Sequence, residues 1–231
     1  MKREIDSASY GPGLPNEGDL RLIGGDLRNK RVLALGCTYG SAWLSFARAS
    51  AQTIAVDPSP DAVGRARELA ESEGLRVELR ANDLADLAFL RAESIDLAFS
   101  AHGLAYVENL GRVLRQVHRS MRRGSPLVFS LPHPFAQTLS ETESGHVVTR
   151  SYFEPEQWVA AGKEPLSLPY LRSIGEVIAE LGKAGFRVEA VAEPESPPQG
   201  ADQAAALGSA GIALSPLVPA GVVFRARKEG N

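Results

Sequence analysis

The feature that most constrains how this sequence can fold is an alternation of short apolar runs with longer amphipathic segments over its first 131 residues. Apolar runs at 31–36, 53–57, 76–80, 94–99 and 126–131 predict five β-strands. Helical periodicity lies between several of these runs, at 41–50, 61–73 and 108–121. Because parallel strands need long crossover connections, which helices usually supply, the pattern predicts a mostly parallel α/β sheet with helices on both faces.

The remainder of the chain, from residue 132 onward, follows a different pattern. Residues 132–170 contain no long periodic segment, so no regular element is predicted there. A helix is predicted at 173–184, followed by strands at 186–191 and 222–226. Residues 194–211, within the Pro/Gly/Ala-rich connection of these strands, are predicted to form a mobile loop. Since no helix joins the two strands, we expect a doubly wound, Rossmann-like sheet of seven strands with an antiparallel last strand.

Composition and charge limit the classes of function. The chain has 25 Lys and Arg against 28 Asp and Glu, a formal net charge of -3, so a nucleic-acid partner is not expected. The uncharged stretch 203–224 contains Pro216 and Pro219, which favours a loop leading into a strand over a membrane span. The single cysteine, Cys37, and a charged N-terminus without a signal peptide predict a cytoplasmic protein. No cluster has metal-ligand spacing, and no metal site is expected.

Residues at the carboxyl ends of the predicted strands carry the functional signal, because ligands of doubly wound sheets bind beyond those ends. The small-residue turn 36–40 after the first strand lets backbone approach a ligand. Asp57, 21 residues beyond Gly36, is spaced to accept the hydroxyls of a ribose. Asp83 follows the third strand, where an acid can reach the adenine amine. These residues predict an adenosine pocket, and Thr38 and Ser41 disfavour NAD or FAD because a dinucleotide fingerprint needs glycine there.

The run Val32-Leu-Ala-Leu-Gly-Cys-Thr-Tyr-Gly40 resembles the first motif of class I S-adenosylmethionine-dependent methyltransferases, V-L-D-L-G-C-G-x-G. Residues 94–102 resemble the family's fourth-strand motif, and residues 113–128 resemble its segment leading into the fifth strand. The chain looks closest to the small bacterial type 11 methyltransferase-domain group, with its N-terminal Tyr-Gly-Pro and its Leu-Pro-His-Pro after strand five.

This resemblance implies S-adenosyl-L-methionine as cofactor, S-adenosyl-L-homocysteine as product and methyl transfer to a small-molecule acceptor. It implies one methyltransferase-like domain over 1–231, with a cofactor-binding half at 14–131 and an acceptor-facing region at 132–231. The residues expected to contact the cofactor lie at the strand ends: Gly36, Cys37, Thr38, Gly40, Asp57, Pro58, Asp83, Leu84, Ser100 and Ala101.

Two histidines and three aromatic residues are candidates for the chemistry. His102 and His133 follow the fourth and fifth strands, and either is predicted to act as a base if the acceptor must lose a proton. The alternatives are that His133 holds a rigid loop between two prolines and that His102 packs against the cofactor without chemistry. Tyr10, Phe135 and Tyr152 are predicted to line the acceptor pocket, with ordinary packing as their alternative.

Two departures from the family motif leave a second function open. Ala34 stands where the family usually has an acid that orients the cofactor's amino group, and Thr38 replaces a glycine. The second hypothesis is a protein of the same fold that binds the cofactor, or has lost it, without methyl transfer, such as a cyclase-type enzyme or a binding module. A nucleotide-dependent oxidoreductase is a third, disfavoured by Thr38 and Ser41. Both a monomer and a homodimer are compatible with the sequence.

Overall fold

The computed structural model describes residues 3–37, 41–143, 145–153, 169–197 and 217–230. Its strands are β1 Arg31–Leu35, β2 Gln52–Asp57, β3 Glu78–Ala81, β4 Leu97–Ala101, β5 Pro126–Pro132, β6 Leu139–Thr142, β7 Gly145–Val148, β8 Phe186–Ala192 and β9 Gly221–Lys228. Its α-helices are α1 Glu17–Leu20, α2 Ala42–Arg48, α3 Pro60–Ser72, α4 Leu110–Ser120 and α5 Ile174–Lys183. Short 3-10 helices lie at Glu4–Ser7, Gly103–Tyr106 and Ala136–Thr138.

Seven of these strands form one sheet in the order β3-β2-β1-β4-β5-β9-β8. The pairs from β3 to β5 are parallel, whereas β9 is antiparallel to both of its neighbours. The strand order reverses between β1 and β4, which is where doubly wound sheets bind ligands. The predicted fold class is therefore confirmed, including the antiparallel last strand.

Most predicted elements begin and end within two residues of the observed ones, and two predictions differ by more. β4 begins at Leu97 rather than at residue 94, because the N–H groups of Ser94 and Ile95 donate to the carbonyl of Ser120 at the end of α4 instead of joining the sheet. The prediction of no regular element at 132–170 was wrong for β6 and β7, which form a separate antiparallel hairpin. Each of its strands has only four residues, too few to give a periodic signal. The predicted mobile loop lies largely outside the described residues.

Side chains alternate between the two faces of the sheet, as period two requires. One face carries Leu33, Leu35 and Phe129, which pack with the apolar sides of α4 and α5. The other face carries Phe99 and Val128, which pack with α2 and with the segment 3–27. No helix within the described stretches is long and apolar enough to cross a membrane.

A buried carboxylate organises the N-terminal segment. Glu17 is fully buried, and its Oε2 accepts hydrogen bonds from Tyr10 Oη at 2.6 Å and from the N–H groups of Leu22 and Ile23 at 2.9 and 3.1 Å. Its Oε1 accepts from Gly24 N–H at 3.1 Å. Because a buried charge is tolerated only when it is hydrogen-bonded, these contacts fix the path of residues 10–24.

The predicted role of Tyr10 in the acceptor pocket was wrong. Its ring has no exposed surface and packs against Phe99, with the ring centroids 5.5 Å apart. Burial, together with the negative charge of Glu17, raises the pKa of Tyr10 above its usual range. The side chain therefore belongs to the core beneath the site.

Candidate active site

The carboxylate of Asp57 joins the turns that follow β1 and β2. Its Oδ2 accepts a hydrogen bond from Cys37 N–H at 2.6 Å, and its Oδ1 accepts one from Ser59 N–H at 2.8 Å. The side chain is buried, so these bonds hold it in one orientation beside the first turn. This is the position at which the sequence predicts recognition of a ribose.

The turn after β1 also lies directly against the chain that follows β4. Gly36 has a φ of 93°, a conformation that favours glycine. A Cβ on Gly103 would lie 2.6 Å from the carbonyl oxygen of Leu35, so neither turn has room for a side chain between them. Ser100 Oγ donates to that same carbonyl at 2.7 Å. The backbone at the switch point between β1 and β4 is therefore close-packed and fixed.

Some residues predicted to contact the cofactor lie beneath the site instead. Ser100 is buried and its hydroxyl is directed at β1, while Ala101 pairs with Ser130 inside the sheet. Leu84 is part of the apolar core. Ser100 and Ala101 are covered because they end the buried strand β4, and Leu84 is covered because it packs into the core beyond the end of β3.

Other predicted cofactor residues do lie at the surface of this edge. Asp83 is exposed, and its Oδ1 accepts from Ala85 N–H at 2.8 Å, which fixes the carboxylate at the end of β3. Pro58 is exposed after β2. The structure therefore brings Gly36, Cys37, Asp57, Pro58 and Asp83 to the carboxyl ends of β1, β2 and β3. Thr38 and Gly40 lie outside the described residues.

The thiol of Cys37 is not set up as a nucleophile. Burial, followed by the nearby charge of Asp57, raises the pKa of Cys37 to about 12. A thiol with so high a pKa stays protonated at neutral pH, and only the thiolate is a good nucleophile. Cys37 therefore contributes its backbone N–H to the turn rather than covalent chemistry.

His102 lies at the end of β4 in a fully enclosed position. Its backbone has a left-handed φ of 56°, and its N–H donates to Ser130 Oγ at 3.1 Å. A Cβ on Gly11 would lie 3.1 Å from the His102 ring, so the ring packs directly on that glycine. Burial lowers the pKa of His102 to about 3. A general base needs a pKa near the working pH, so the structure does not support the predicted base role of His102.

The low pKa of His102 predicts a pH-dependent stability. An unfolded histidine binds a proton as the pH falls below about 6.5, whereas the folded His102 does not, so the free energy of unfolding should decrease as the pH falls from 6.5 toward 3. The slope from this group is up to about 1.4 kcal/mol per pH unit. We expect urea denaturation at several pH values to show this decrease in the free energy of unfolding. The variant His102→Asn, whose side chain suits the left-handed backbone, should show a smaller decrease. Equal slopes in both proteins would contradict the assignment.

Both ring nitrogens of His133 take part in hydrogen bonds. Its Nδ1 accepts a hydrogen bond from Phe135 N–H at 3.2 Å, and its Nε2 lies 2.7 Å from Oε1 of Glu193. An Nδ1 that accepts carries no proton, so Nε2 is the protonated nitrogen and donates to Glu193. Its backbone N–H donates to the carbonyl of Ala220 at 2.9 Å. These contacts are those of a residue that holds its loop, and they leave the ring no unengaged lone pair to accept a proton.

The two remaining predicted acceptor residues lie on the chain after β5. Phe135 is 39% exposed, and Tyr152 is half-buried with its ring edge-on to Phe153 at a centroid distance of 5.5 Å. Both belong to the segment that follows the carboxyl end of β5. Among the described residues, no group of three or more His, Cys, Asp or Glu side chains could hold a metal ion.

Comparison with known proteins shows what the chain is similar to. A family model described as a methyltransferase domain matches residues 33–129. The solved structure of an S-adenosylmethionine-dependent methyltransferase from Mesorhizobium loti superposes with a TM-score of 0.71 at 25% sequence identity, covering 91% of this chain and 96% of that one. The chain therefore carries a match to a methyltransferase domain over residues 33–129 and is similar in fold and sequence to an S-adenosylmethionine-dependent methyltransferase.

Two further similarities are to a curated sequence and to a solved structure. A ubiquinone biosynthesis O-methyltransferase from Xanthomonas oryzae is 31% identical over 105 residues, which cover 46% of this chain and 44% of that protein. This chain therefore spans less than half the length of that curated relative. The structure of the [4+2]-cyclase SpnF has the same fold, with a TM-score of 0.63 at 19% identity over 88% of this chain and 76% of that one.

The structure adds Gly103 and Glu193 to the candidate site, neither of which the sequence revealed, and it shows the surroundings of Ala34. Gly103 shapes the close contact between the first and fourth strand ends, and its place directly after the β4 motif was an available signal. Glu193 pairs with His133 across 60 residues, a separation at which sequence spacing carries no signal. Ala34, at the family's usual acid position, is buried in an apolar cluster with Trp43 and Ala55.

Proposed function

We propose that this protein transfers a methyl group from S-adenosylmethionine to a small-molecule acceptor that binds beside the carboxyl end of β5. The observation that carries the proposal is the fixed carboxylate of Asp57, held by the N–H groups of Cys37 and Ser59 next to Gly36, which has no side chain. An adenosine fits this arrangement, since a carboxylate can accept ribose hydroxyls and glycine backbone permits close approach. Asp83, exposed at the end of β3, would lie on the adenine side.

When bound, the cofactor would supply an electrophilic methyl group on a sulfonium, and S-adenosylhomocysteine would be the leaving group when the acceptor's nucleophilic atom bonds to the methyl carbon. The protein's own residues would orient the two reactants, and proximity of this kind accounts for a large part of the rate in such reactions. His102 is buried with a lowered pKa, and both ring nitrogens of His133 are engaged. We therefore propose that neither histidine removes a proton from the acceptor.

Acceptor-dependent formation of S-adenosylhomocysteine tests the proposal. Hydroxyl-bearing small molecules are the first acceptors to try, because the Xanthomonas oryzae relative is named as an O-methyltransferase. If His133 only holds its loop, His133→Gln should lower kcat by less than about tenfold and leave its pH profile unchanged, whereas a general base contributes about 10²–10⁴-fold. Glu193→Gln, which keeps a hydrogen-bond acceptor, is the matched control. A loss above a hundredfold with an altered pH profile would restore His133 as the base.

A second candidate function follows from Ala34. Its methyl side chain is buried with Trp43, so no carboxylate stands where the family usually holds the cofactor's amino group. A protein that binds the cofactor without transferring methyl, as a cyclase-type enzyme or binding module, would show calorimetric binding of S-adenosylmethionine but no acceptor-dependent product. We propose a cytoplasmic location and a small-molecule partner in either case, with sedimentation to distinguish a monomer from a homodimer.

A further inference from the structure

A cavity lies at the amino ends of the first parallel strands, at the edge of the sheet opposite the candidate active site. We call it the amino-edge cavity, and its volume is about 750 Å³. Small-molecule sites have volumes of about 300–1,000 Å³. The cavity is lined by Arg31, the first residue of β1, and by Gln52 and Thr53, the first two residues of β2. Because β2 runs on to Asp57, about 13 Å of strand separates the cavity from the candidate cofactor residues.

The pairing of β2 with β3 leaves room for this cavity. The register of the two strands begins at Ile54 and Glu78, so Gln52 and Thr53 lie before the first pair. The chain leading into β3, residues 75–77, lines the cavity together with the second half of α3. The cavity is therefore a gap at the edge of the sheet, bounded by β2, α3 and the chain that leads into β3.

Three arginines from different parts of the chain line the amino-edge cavity. They are Arg31 of β1, Arg67 of α3 and Arg76 in the chain before β3. In the part of the chain that the structure describes, none of their guanidinium groups forms an ion pair or donates a hydrogen bond. Guanidinium groups bind phosphate and carboxylate oxygens through paired N–H donors. The cavity therefore has anion-binding groups that the fold itself does not use.

The two acids that line the cavity leave this positive charge in excess. Glu78 is already paired with Arg80, with Oε1 2.6 Å from Nε, and Arg80 is not a lining residue. Glu71 alone therefore opposes the three arginines. At the end of α3 the carbonyl of Glu71 accepts from Gly74 N–H at 3.0 Å, so this oxygen is already engaged. The charge of the lining favours an anionic occupant.

A buried hydroxyl group belongs to the same lining. Thr53 is 3% exposed, and among the described residues its Oγ1 has no hydrogen-bond partner. A buried hydroxyl without a partner costs free energy, and most such groups in folded proteins are satisfied. An oxyanion in the cavity would supply the missing acceptor. This observation points to a ligand independently of the arginines.

Apolar side chains complete the lining. Leu75, Val77 and Leu79 line the cavity and are only partly buried against the apolar cluster that contains Ala55 and Ala70. Small-molecule sites combine apolar surface of this kind with a few polar groups that fix the ligand's orientation. An inorganic ion would leave that surface uncovered. The lining therefore favours an anion that carries an organic body.

We propose that the amino-edge cavity is a second binding site, which takes a small organic molecule carrying a phosphate or carboxylate group. The three arginines would bind the anionic group, Thr53 would donate a hydrogen bond to it, and the apolar lining would contact the organic body. This inference does not depend on the proposed function, because the cavity shares no residue with the candidate active site.

Calorimetry of the full chain with phenyl phosphate, benzoate and benzyl alcohol tests this proposal. The three probes share a ring, and only benzyl alcohol is neutral. Because charged hydrogen bonds are the stronger ones, we expect at least one anion to bind more than about tenfold more tightly than benzyl alcohol. The tighter of the two anions identifies the preferred group.

Two variants locate the bound anion. Arg67→Gln/Arg76→Gln should weaken its binding by more than about tenfold, since two charged donors are lost. Both residues are exposed, so this variant should retain its circular dichroism spectrum. Thr53→Val removes the hydroxyl but keeps the shape of the side chain, and it should weaken binding by about three- to tenfold.

Arg65→Gln/Arg91→Gln is the matched control, because it removes the same charge from exposed arginines that do not line the cavity. We expect it to bind the anion within about twofold of the wild type. The inference is overturned if neither anion binds more tightly than benzyl alcohol, if Arg67→Gln/Arg76→Gln keeps the affinity, or if the control loses it equally. It is also overturned if S-adenosylhomocysteine displaces the anion, which would place the anion at the cofactor edge. Failure of S-adenosylhomocysteine to bind the wild type would contradict the proposed function alone, since the three probes are titrated without it.

Discussion

Asp57→Asn is expected to weaken S-adenosylhomocysteine binding by about a hundredfold, equivalent to about 2.8 kcal/mol. The carboxylate accepts from the N–H groups of Cys37 and Ser59. An asparagine presents an NH2 group to one of these donors, so the turn loses a hydrogen bond and its fixed geometry. The charge that would strengthen bonds from the ribose hydroxyls is lost as well. Isothermal titration calorimetry measures the change directly.

Asp61→Asn is the control for this prediction. Asp61 is exposed in the first turn of α3, four residues beyond Asp57, and its substitution removes the same formal charge. We expect its affinity to stay within about twofold of the wild type, because exposed charges contribute little. Equal affinities for wild type and Asp57→Asn would remove Asp57 from the cofactor site.

Gly103→Ala is expected to lower the free energy of unfolding by about 2–4 kcal/mol. The new Cβ would lie 2.6 Å from the carbonyl oxygen of Leu35 and 2.9 Å from Ser100 Oγ. Neither atom can move freely, because they are hydrogen-bonded to each other at 2.7 Å. The chain after β4 must therefore shift away from β1. The midpoint and slope of urea denaturation give the change in stability.

Gly64→Ala provides the opposite result as a control. Gly64 lies within α3, and beyond its chain neighbours and the backbone of its own helix no atom is within 4 Å of the position that its Cβ would occupy. We expect this substitution to stabilise the protein by about 0.5–1 kcal/mol, since alanine has a higher helix propensity than glycine. If both alanine variants changed stability alike, the close contact at Gly103 would not be the cause of its effect.

Local patterns in the sequence predicted most of the sheet and the first turn of the site. The apolar periodicity located the strands, and the spacing from Gly36 to Asp57 predicted two residues that the structure brings to adjacent strand ends. Such signals are readable because each depends on neighbours within a few residues or on one βαβ unit.

The errors arose where burial and distant partners decide a residue's role. Tyr10 and His102 looked like site residues by type and position, but both are enclosed by elements far away in the sequence. His133 was correctly expected at the end of β5, yet its pairing with Glu193 could not be predicted. A residue's hydrogen-bond partners across the fold are not encoded in its local spacing.

The N-terminal segment determines which fragments of this protein can be expressed in soluble form. The family match begins at residue 33, whereas residues 3–27 cover part of one face of the sheet beside α2 and are tied together by the buried Glu17. An expression fragment trimmed to residues 33–129 would place Phe99 and Val128 in contact with water, and such apolar surface promotes aggregation. The smallest fragment that can be expected to purify in soluble form therefore begins well before the region that the family shares.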